Sequence, residues 1–390
     1  MSYAAPTPDQ GVNIQQPHPK IAPMVFIINM FFPEAQVWYD NMPKTDFGYM
    51  QALNITVPGL SMVYPNVYCV VDHRICQVTT GESEINAATT ITALVLSGTF
   101  NLKSTYFLIS GIAGVNPKQS TLGGVALAKY AVQVALQYEF DSREIPGNYA
   151  TGYVPFGTTA PDQPPTIYYG TEVFEVNEAL RDCAFQFALN ANLFDNLEAA
   201  AYRAKYKTGS DAELAAVYPP SVVRCDTATS DVYYSGNLLS GAFENITASW
   251  TNGSGVYCMT AQEDNATLEV LLRMAMAGLV DFGRVIVMRS GSDFDRPPPG
   301  ITAYDHLFAV DQNGFPIAIR NLFAVGIEIV NGIVSQWDDT FAFGINATNY
   351  IGDIFGSLGG IPDFGPGDNM GTTTSARRAS QKVNRFRKAL

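Results

Sequence analysis

The stretch from Met259 to Pro297, MTAQEDNATLEVLLRMAMAGLVDFGRVIVMRSGSDFDRP, narrows the fold more than any other part of this chain. Leu268, Leu271, Leu272, Ala275 and Leu279 recur at the spacing that gives a helix one apolar face, which predicts a helix starting near Asp264. After Gly278 and Gly283 the run Val285 to Met288 is too short for a helix and is bounded by breakers, as suits a strand buried on both faces. A unit of helix, turn and buried strand belongs to an α/β fold, where ligands gather beyond the carboxyl ends of the strands. It puts Glu263 and Asp264 at the helix start and Asp293 just past the strand end, so two groups of acid are expected to face one pocket.

Read in order, the chain predicts a flexible lead-in over residues 1–20 and a single α/β domain over 21–367. A disordered basic tail is expected over 368–390. Met24 to Met30 reads as a buried first strand with Glu34 just beyond it, and Asn54–Val57, Val67–Val71 and Ile75–Thr79 as a meander. The turn TTGESEINAA opens a helix to about Leu96, and the apolar run Tyr106–Ile109 leads into SGIAGV, where small residues let a ligand approach the backbone. Val125–Tyr130, Val132–Tyr138 and Val222–Cys225 read as strands, and 145–167 as a long loop beside a site. Val173–Leu193 and Glu198–Val217 read as helices, and Phe315–Trp337 as one long helix interrupted at Gly326 and Gly332.

The net charge of −13, from 36 acidic and 23 basic residues, works against nucleic-acid or anionic-membrane partners, which attract Lys and Arg clusters. The two most hydrophobic regions are broken by Asn101 and Lys103 and by Arg273, Asp281 and Arg284, so no membrane span is expected. The first 20 residues have neither a basic start nor an apolar run, so no secretory signal is expected within them. Five Asn-x-Ser/Thr sequons, at Asn54, Asn245, Asn252, Asn265 and Asn346, would matter only in an exported chain. The five cysteines fit no zinc spacing; Cys69 and Cys76 flank a hairpin turn where a disulfide is feasible, and the odd count leaves a thiol over. No metal or cofactor is expected. The compartment, cytoplasmic or cell-surface, and assembly into a homo-oligomer stay open.

Four segments, NMFFPEA, TTGESEINAA, SGIAG and the pair TAQEDNA and MRSGSD, occur in the order in which the nucleoside phosphorylase and nucleosidase superfamily carries its site motifs. From about Lys20 to Gly367 the wording is similar to that of the fungal purine nucleoside permeases. The resemblance implies a three-layer α/β/α fold with a central mixed sheet. The activity it implies is purine nucleoside binding with cleavage of the N-glycosidic bond.

Carried over by position, Asp293 of Arg289-Ser290-Gly291-Ser292-Asp293 is implied to protonate the purine at N7, so that the base need not leave as an anion. Without the resemblance it would cap a turn or pair with Arg289 or Arg296. Glu263 or Asp264, with Gln262 beside them, would bind the ribose hydroxyls and oppose positive charge on the sugar. Thr260-Ala261-Gln262-Glu263 is equally a capping box. Tyr233 is implied to stack on the base or else to sit in the core. Gly111, Ala113 and Gly114 would offer backbone near base and sugar, and Glu34 would orient the attacking water. Thr80, Glu82 and Ser292 complete the implied site, Glu82 favouring a 5′-hydroxyl substrate if it points inward. The motifs NMFFPEA and SGIAGVNP lack the arginines with which phosphorylases hold phosphate, so water is the expected nucleophile. Phosphorolysis and a transport-associated binding protein remain as alternatives. His18, His73 and His306 lie outside all four segments and are set aside.

Overall fold

The computed structural model describes residues 20–161, 163–207 and 214–365. The tail over 368–390 and nearly all of the lead-in over 1–20 lie outside the described residues. At the centre are the strands Val25–Asn29, Tyr106–Val115 and Val285–Phe294, with Tyr106–Val115 between two parallel neighbours. Strands in the middle of a parallel sheet are covered on both faces and read as unbroken apolar runs, and all five residues of VFIIN are buried. Ile75–Thr79 pairs parallel with Val25–Asn29, and Asn66–Cys69 and Leu53–Thr56 add antiparallel strands out to that edge. On the other side Tyr257–Ala261 meets Val115 antiparallel, followed by Asp226–Thr229, Tyr130–Gln133, Val173–Glu175 and Gly352–Asp353. Val125–Ala128 and Val222–Arg224 branch from Val285–Phe294, completing a mixed sheet of 13 strands.

Alternation along the strands divides the core into the layers of an α/β/α sandwich. Phe26, Ile28, Phe107, Ile109, Val285 and Val287 pack on one face with Ile91 and Leu94 of helix Glu84–Leu96 and Leu268, Leu271 and Leu272 of helix Asp264–Met276. Val25, Ile27, Tyr106, Leu108, Ile286 and Met288 pack on the other with Trp38 of Phe32–Asn41, Leu180 of Glu178–Ala188 and Leu322 and Val325 of Phe315–Ser335. Phe315–Ser335 is the one helix among the described residues long and apolar enough to cross a membrane, with mean hydropathy 1.6 over its best window. Here it is a core element, with Leu322, Val325, Ile329 and Val330 fully buried against the sheet. It is also uninterrupted, because Gly326 and Gly332 are packing positions: a Cβ at Gly326 would lie 2.7 Å from Trp38, and one at Gly332 would collide with the Phe187 ring.

Other boundaries differ from expectation. The SGIAGV segment is strand, and so is RSGSDF, since both central strands run ten residues. Asp293 therefore sits within the last turns of the pleat and not past its end. Val173–Leu193 divides into a strand, Val173–Glu175, and a helix, Glu178–Ala188, capped by the Asn177 side chain. Strand pairing at Tyr130–Gln133 stops five residues short of Tyr138. Residues 197–206 form a helix ending in a 3₁₀ turn, with a further short helix at Leu214–Val217. Cys69 and Cys76 stand directly opposite in the hairpin and are bridged. A second bridge, Cys225–Cys258, joins residues 33 apart, and Cys183 is the free cysteine.

Candidate active site

Beyond the carboxyl ends of the central parallel strands lies a cavity of about 460 Å³. Three elements deliver Asp293, Glu34 and Glu263 to it. In the pairing of Val285–Phe294 with Tyr106–Val115 the register shifts between Gly291 and Asp293, which leaves Ser292 as the extra residue of a bulge. Asp293 follows it at the cavity wall, where its Oδ1 accepts the Ser292 hydroxyl at 2.7 Å and its Oδ2 accepts the Tyr233 hydroxyl at 2.8 Å. Burial pushes its carboxyl above the ordinary aspartate range, against the opposing pull of the two hydroxyls and His306. Neither arginine named in the sequence reading is its partner: Arg289 pairs with Glu263 and Asp264, and Arg296 with Asp295 and Glu244.

Glu34 stands in the first turn of helix Phe32–Asn41, begun by Pro33, and its side chain turns back toward the strand ends. Its two oxygens accept the backbone N–H groups of Met30 and Ile112, each at 2.7 Å. Burial pushes the carboxyl up to about 8, while Arg289 and the two backbone donors pull it down. Gly111 makes room: a Cβ there would overlap the Arg289 guanidinium and lie 3.0 Å from Glu34 Oε1.

The third element is the start of helix Asp264–Met276, and here the two adjacent acids separate. Asp264, fully buried, accepts the Arg289 guanidinium behind the cavity and does not line it. Glu263 lines the cavity, accepts Arg289 Nη2 at 3.0 Å and accepts the backbone N–H of Ser83 at 3.0 Å from the turn after Ile75–Thr79. Its side chain makes no cap bond to its own helix, so the capping-box reading is not what this residue does. Ser83 donates from a backbone at φ 76° and ψ 162°, a region that side chains other than glycine rarely occupy and that costs about 1–3 kcal/mol. Burial raises the Glu263 carboxyl too, with Arg289 opposing.

Of the residues singled out in sequence, Glu34, Glu82, Ala113, Gly114, Tyr233, Gln262, Glu263, Ser292 and Asp293 line the cavity. Thr80, Gly111 and Asp264 lie behind it. Thr80 bonds the backbone at Asn29 and Gly81. Tyr233 is 59% exposed and reaches Asp293 through its hydroxyl, and Gln262 holds the Asp231 carbonyl at 2.9 Å. Among its described residues, the loop over 145–167 supplies none to the lining. His306, Gln312, Asn313 and Phe315 do, although all lie outside the motif segments. The His306 ring nitrogens sit 2.6 Å from the Tyr202 hydroxyl and 2.9 Å from the Phe294 carbonyl, and burial lowers its affinity for a second proton. Among the described lining residues, Arg289 is the one with a guanidinium or ammonium group, and it is engaged by two carboxylates.

Residues 22–346 match the family model described as purine nucleoside permease. The purine nucleoside permease of Candida albicans is 48% identical over 349 residues, 88% of this chain and 83% of that protein. A probable purine nucleoside permease of Schizosaccharomyces pombe is 41% identical, over 81% of this chain and 90% of its own length. Among solved structures, a 5′-methylthioadenosine/S-adenosylhomocysteine nucleosidase from Neisseria meningitidis aligns over 81% of this chain and 99% of its own at 12% identity, with TM-score 0.46. A futalosine hydrolase from Helicobacter pylori aligns over 79% and 97% at 13% identity, also with TM-score 0.46.

Proposed function

We propose that this chain, which belongs to the purine nucleoside permease family, binds a purine nucleoside in the cavity and hydrolyses its N-glycosidic bond to free base and ribose. The family's name supplies the ligand class, and the arrangement of acids supports the chemistry. The observation that carries the proposal is that Asp293, half-buried at the cavity wall and hydrogen-bonded among the described residues by two hydroxyls, shares one cavity with Glu34 and Glu263.

In this reading Asp293, whose hold on its proton burial strengthens, donates to N7 as the bond from C1′ to the base breaks. Positive charge growing on the sugar is opposed by Glu263, which also accepts ribose hydroxyls. Glu34 in its ionised form, which the folded protein reaches as pH rises toward about 8, takes a proton from water as the water oxygen bonds C1′. One water is consumed, the base leaves with the Asp293 proton, and the two carboxyls return to their starting states through solvent. Such acid assistance is worth roughly 10²–10⁴ in rate. Water is favoured over phosphate because the one guanidinium among the described lining residues is already held by Glu263 and Asp264.

The test is to incubate the protein with inosine, guanosine and adenosine, with and without phosphate, and separate the products. Free base and ribose in the absence of phosphate support hydrolysis. Ribose 1-phosphate formed only with phosphate would replace it by phosphorolysis. Tight binding by calorimetry with no product would favour the second reading, a nucleoside-binding protein that assists uptake, to which the family's name points.

A further inference from the structure

Two features unconnected with the cavity point the same way. The first is sulfur: among the described residues four of the five cysteines are joined in two bridges, leaving Cys183 alone. Cys69 and Cys76 face each other across neighbouring antiparallel strands with Cα atoms 4.1 Å apart. Cys225 and Cys258 are brought together at 5.6 Å by the neighbouring strands Asp226–Thr229 and Tyr257–Ala261. Structural disulfides persist where the surroundings are oxidising and are rare where glutathione keeps thiols reduced.

The second is where the sequons fall. Asn265 is buried in the first turn of helix Asp264–Met276, its amide donating to the Thr171 carbonyl, so the folded chain has no room for a sugar there. The other four asparagines are exposed. At Asn245 the sequon's Thr247 is buried, and at Asn252 the amide holds the Asp363 carbonyl at 3.0 Å. Ser254 of the Asn252 sequon is exposed as well, so with the Asn252 amide engaged by Asp363 the sequons left with an exposed asparagine and an exposed threonine, Thr56 and Thr348, are those of Asn54 and Asn346. Asn54 also lies in the middle of Leu53–Thr56, the last strand on its side of the sheet. A bare strand edge invites pairing with another chain, and a bulky hydrophilic group on it would block that approach.

We propose that this protein matures in an oxidising compartment and carries N-linked glycans at Asn54 and Asn346. In the transfer, the asparagine Nδ2 forms a bond to the anomeric carbon of a polyprenyl-diphosphate-linked oligosaccharide. The anomeric C–O bond breaks, the polyprenyl diphosphate departs, and the amide loses one proton. Each cysteine pair gives two electrons and two protons to the disulfide of a thiol oxidoreductase, which leaves as the dithiol.

The experiment uses full-length protein purified from the eukaryotic cells that make it. Peptide N-glycosidase digestion in ¹⁸O-water, followed by peptide mapping, marks each formerly glycosylated asparagine as labelled aspartate. Label at both Asn54 and Asn346, with Asn265 unlabelled, is expected. So is alkylation of one thiol before reduction and five after it. Loss of one mass step on a gel in each of Asn54→Gln and Asn346→Gln, with base release unchanged, assigns the positions. An unlabelled peptide at either position, label at Asn265, or more than one reactive thiol in the native protein would each overturn the proposal.

Discussion

Replacing Glu34 by glutamine should flatten the pH dependence of stability and abolish activity, and the size of the first effect follows from the site. The folded protein holds this carboxyl's proton up to about 8, against 4.5 when the chain is unfolded. Between those values the folded state binds more protons than the unfolded one, so the contribution is fully present below pH 4.5 and is lost as pH rises toward 8. At roughly 1.4 kcal/mol per pH unit over that window, the loss is on the order of 5 kcal/mol. Glutamine keeps the shape but turns an NH₂ toward one of the two backbone donors, Met30 or Ile112, costing about 1–3 kcal/mol at every pH. Urea unfolding of both proteins at pH 5 and pH 9 separates the two effects. The wild type should lose about 4 kcal/mol more than Glu34→Gln across that interval, since at pH 5 part of the contribution is already gone. Parallel losses would show that Glu34 is not the buried acid described here, and would remove it as the base that must ionise for catalysis.

Asp293→Asn should lower base release roughly 10²–10⁴-fold while nucleoside binding by calorimetry persists, and unchanged turnover would end the acid assignment. Glu263→Gln should cut kcat/KM for ribonucleosides and leave 2′-deoxynucleosides much less affected; an equal loss for both would remove its ribose role. Tyr233→Phe takes away a hydroxyl that favours the ionised form of Asp293, so the acid's proton is lost at higher pH and the alkaline limb of the rate profile should move upward. An unmoved limb would return Tyr233 to a purely apolar role. Ser83→Gly should raise stability by about 1 kcal/mol in thermal unfolding by relieving the strained backbone without removing its N–H, and a loss of stability would refute the strain.

The apolar strands and amphipathic helices were legible in sequence because burial sets their period, as in Val25–Asn29, Glu84–Leu96 and Asp264–Met276. What escaped was strand made of small and polar residues. Ser110, Gly111, Ser290 and Gly291 look like loop, yet they are paired in the two longest strands. They are small because Glu34 and Arg289 occupy the space a side chain at Gly111 would need, so the site itself erases the strand signal. Val173–Glu175 was hidden because its apolar residues continue in phase into the following helix. His306 and Gln312 reach the cavity through a return of the chain that no local pattern announces, and Cys225–Cys258 depends on strands that become neighbours only in the folded sheet.

In the proposed reading Asp293 donates a proton, and what supports that role is which cations avoid it. A guanidinium against this carboxyl would stabilise the charged form and lower its pKa, defeating an acid that must hold a proton near neutrality. Arg289 is only four residues away, and regular alternation would put residues 289, 291 and 293 on one face of the strand. The register shift after Gly291 breaks that alternation. Arg289 is committed instead to Asp264, Glu263 and the Ile112 carbonyl, and Arg296, three residues on, to Asp295. The adjacent pair Glu263 and Asp264 then makes sense as a division of labour: Asp264 anchors the arginine behind the wall, which leaves Glu263 in the cavity. Asp293 is left with two hydroxyls and the buried surroundings that raise it.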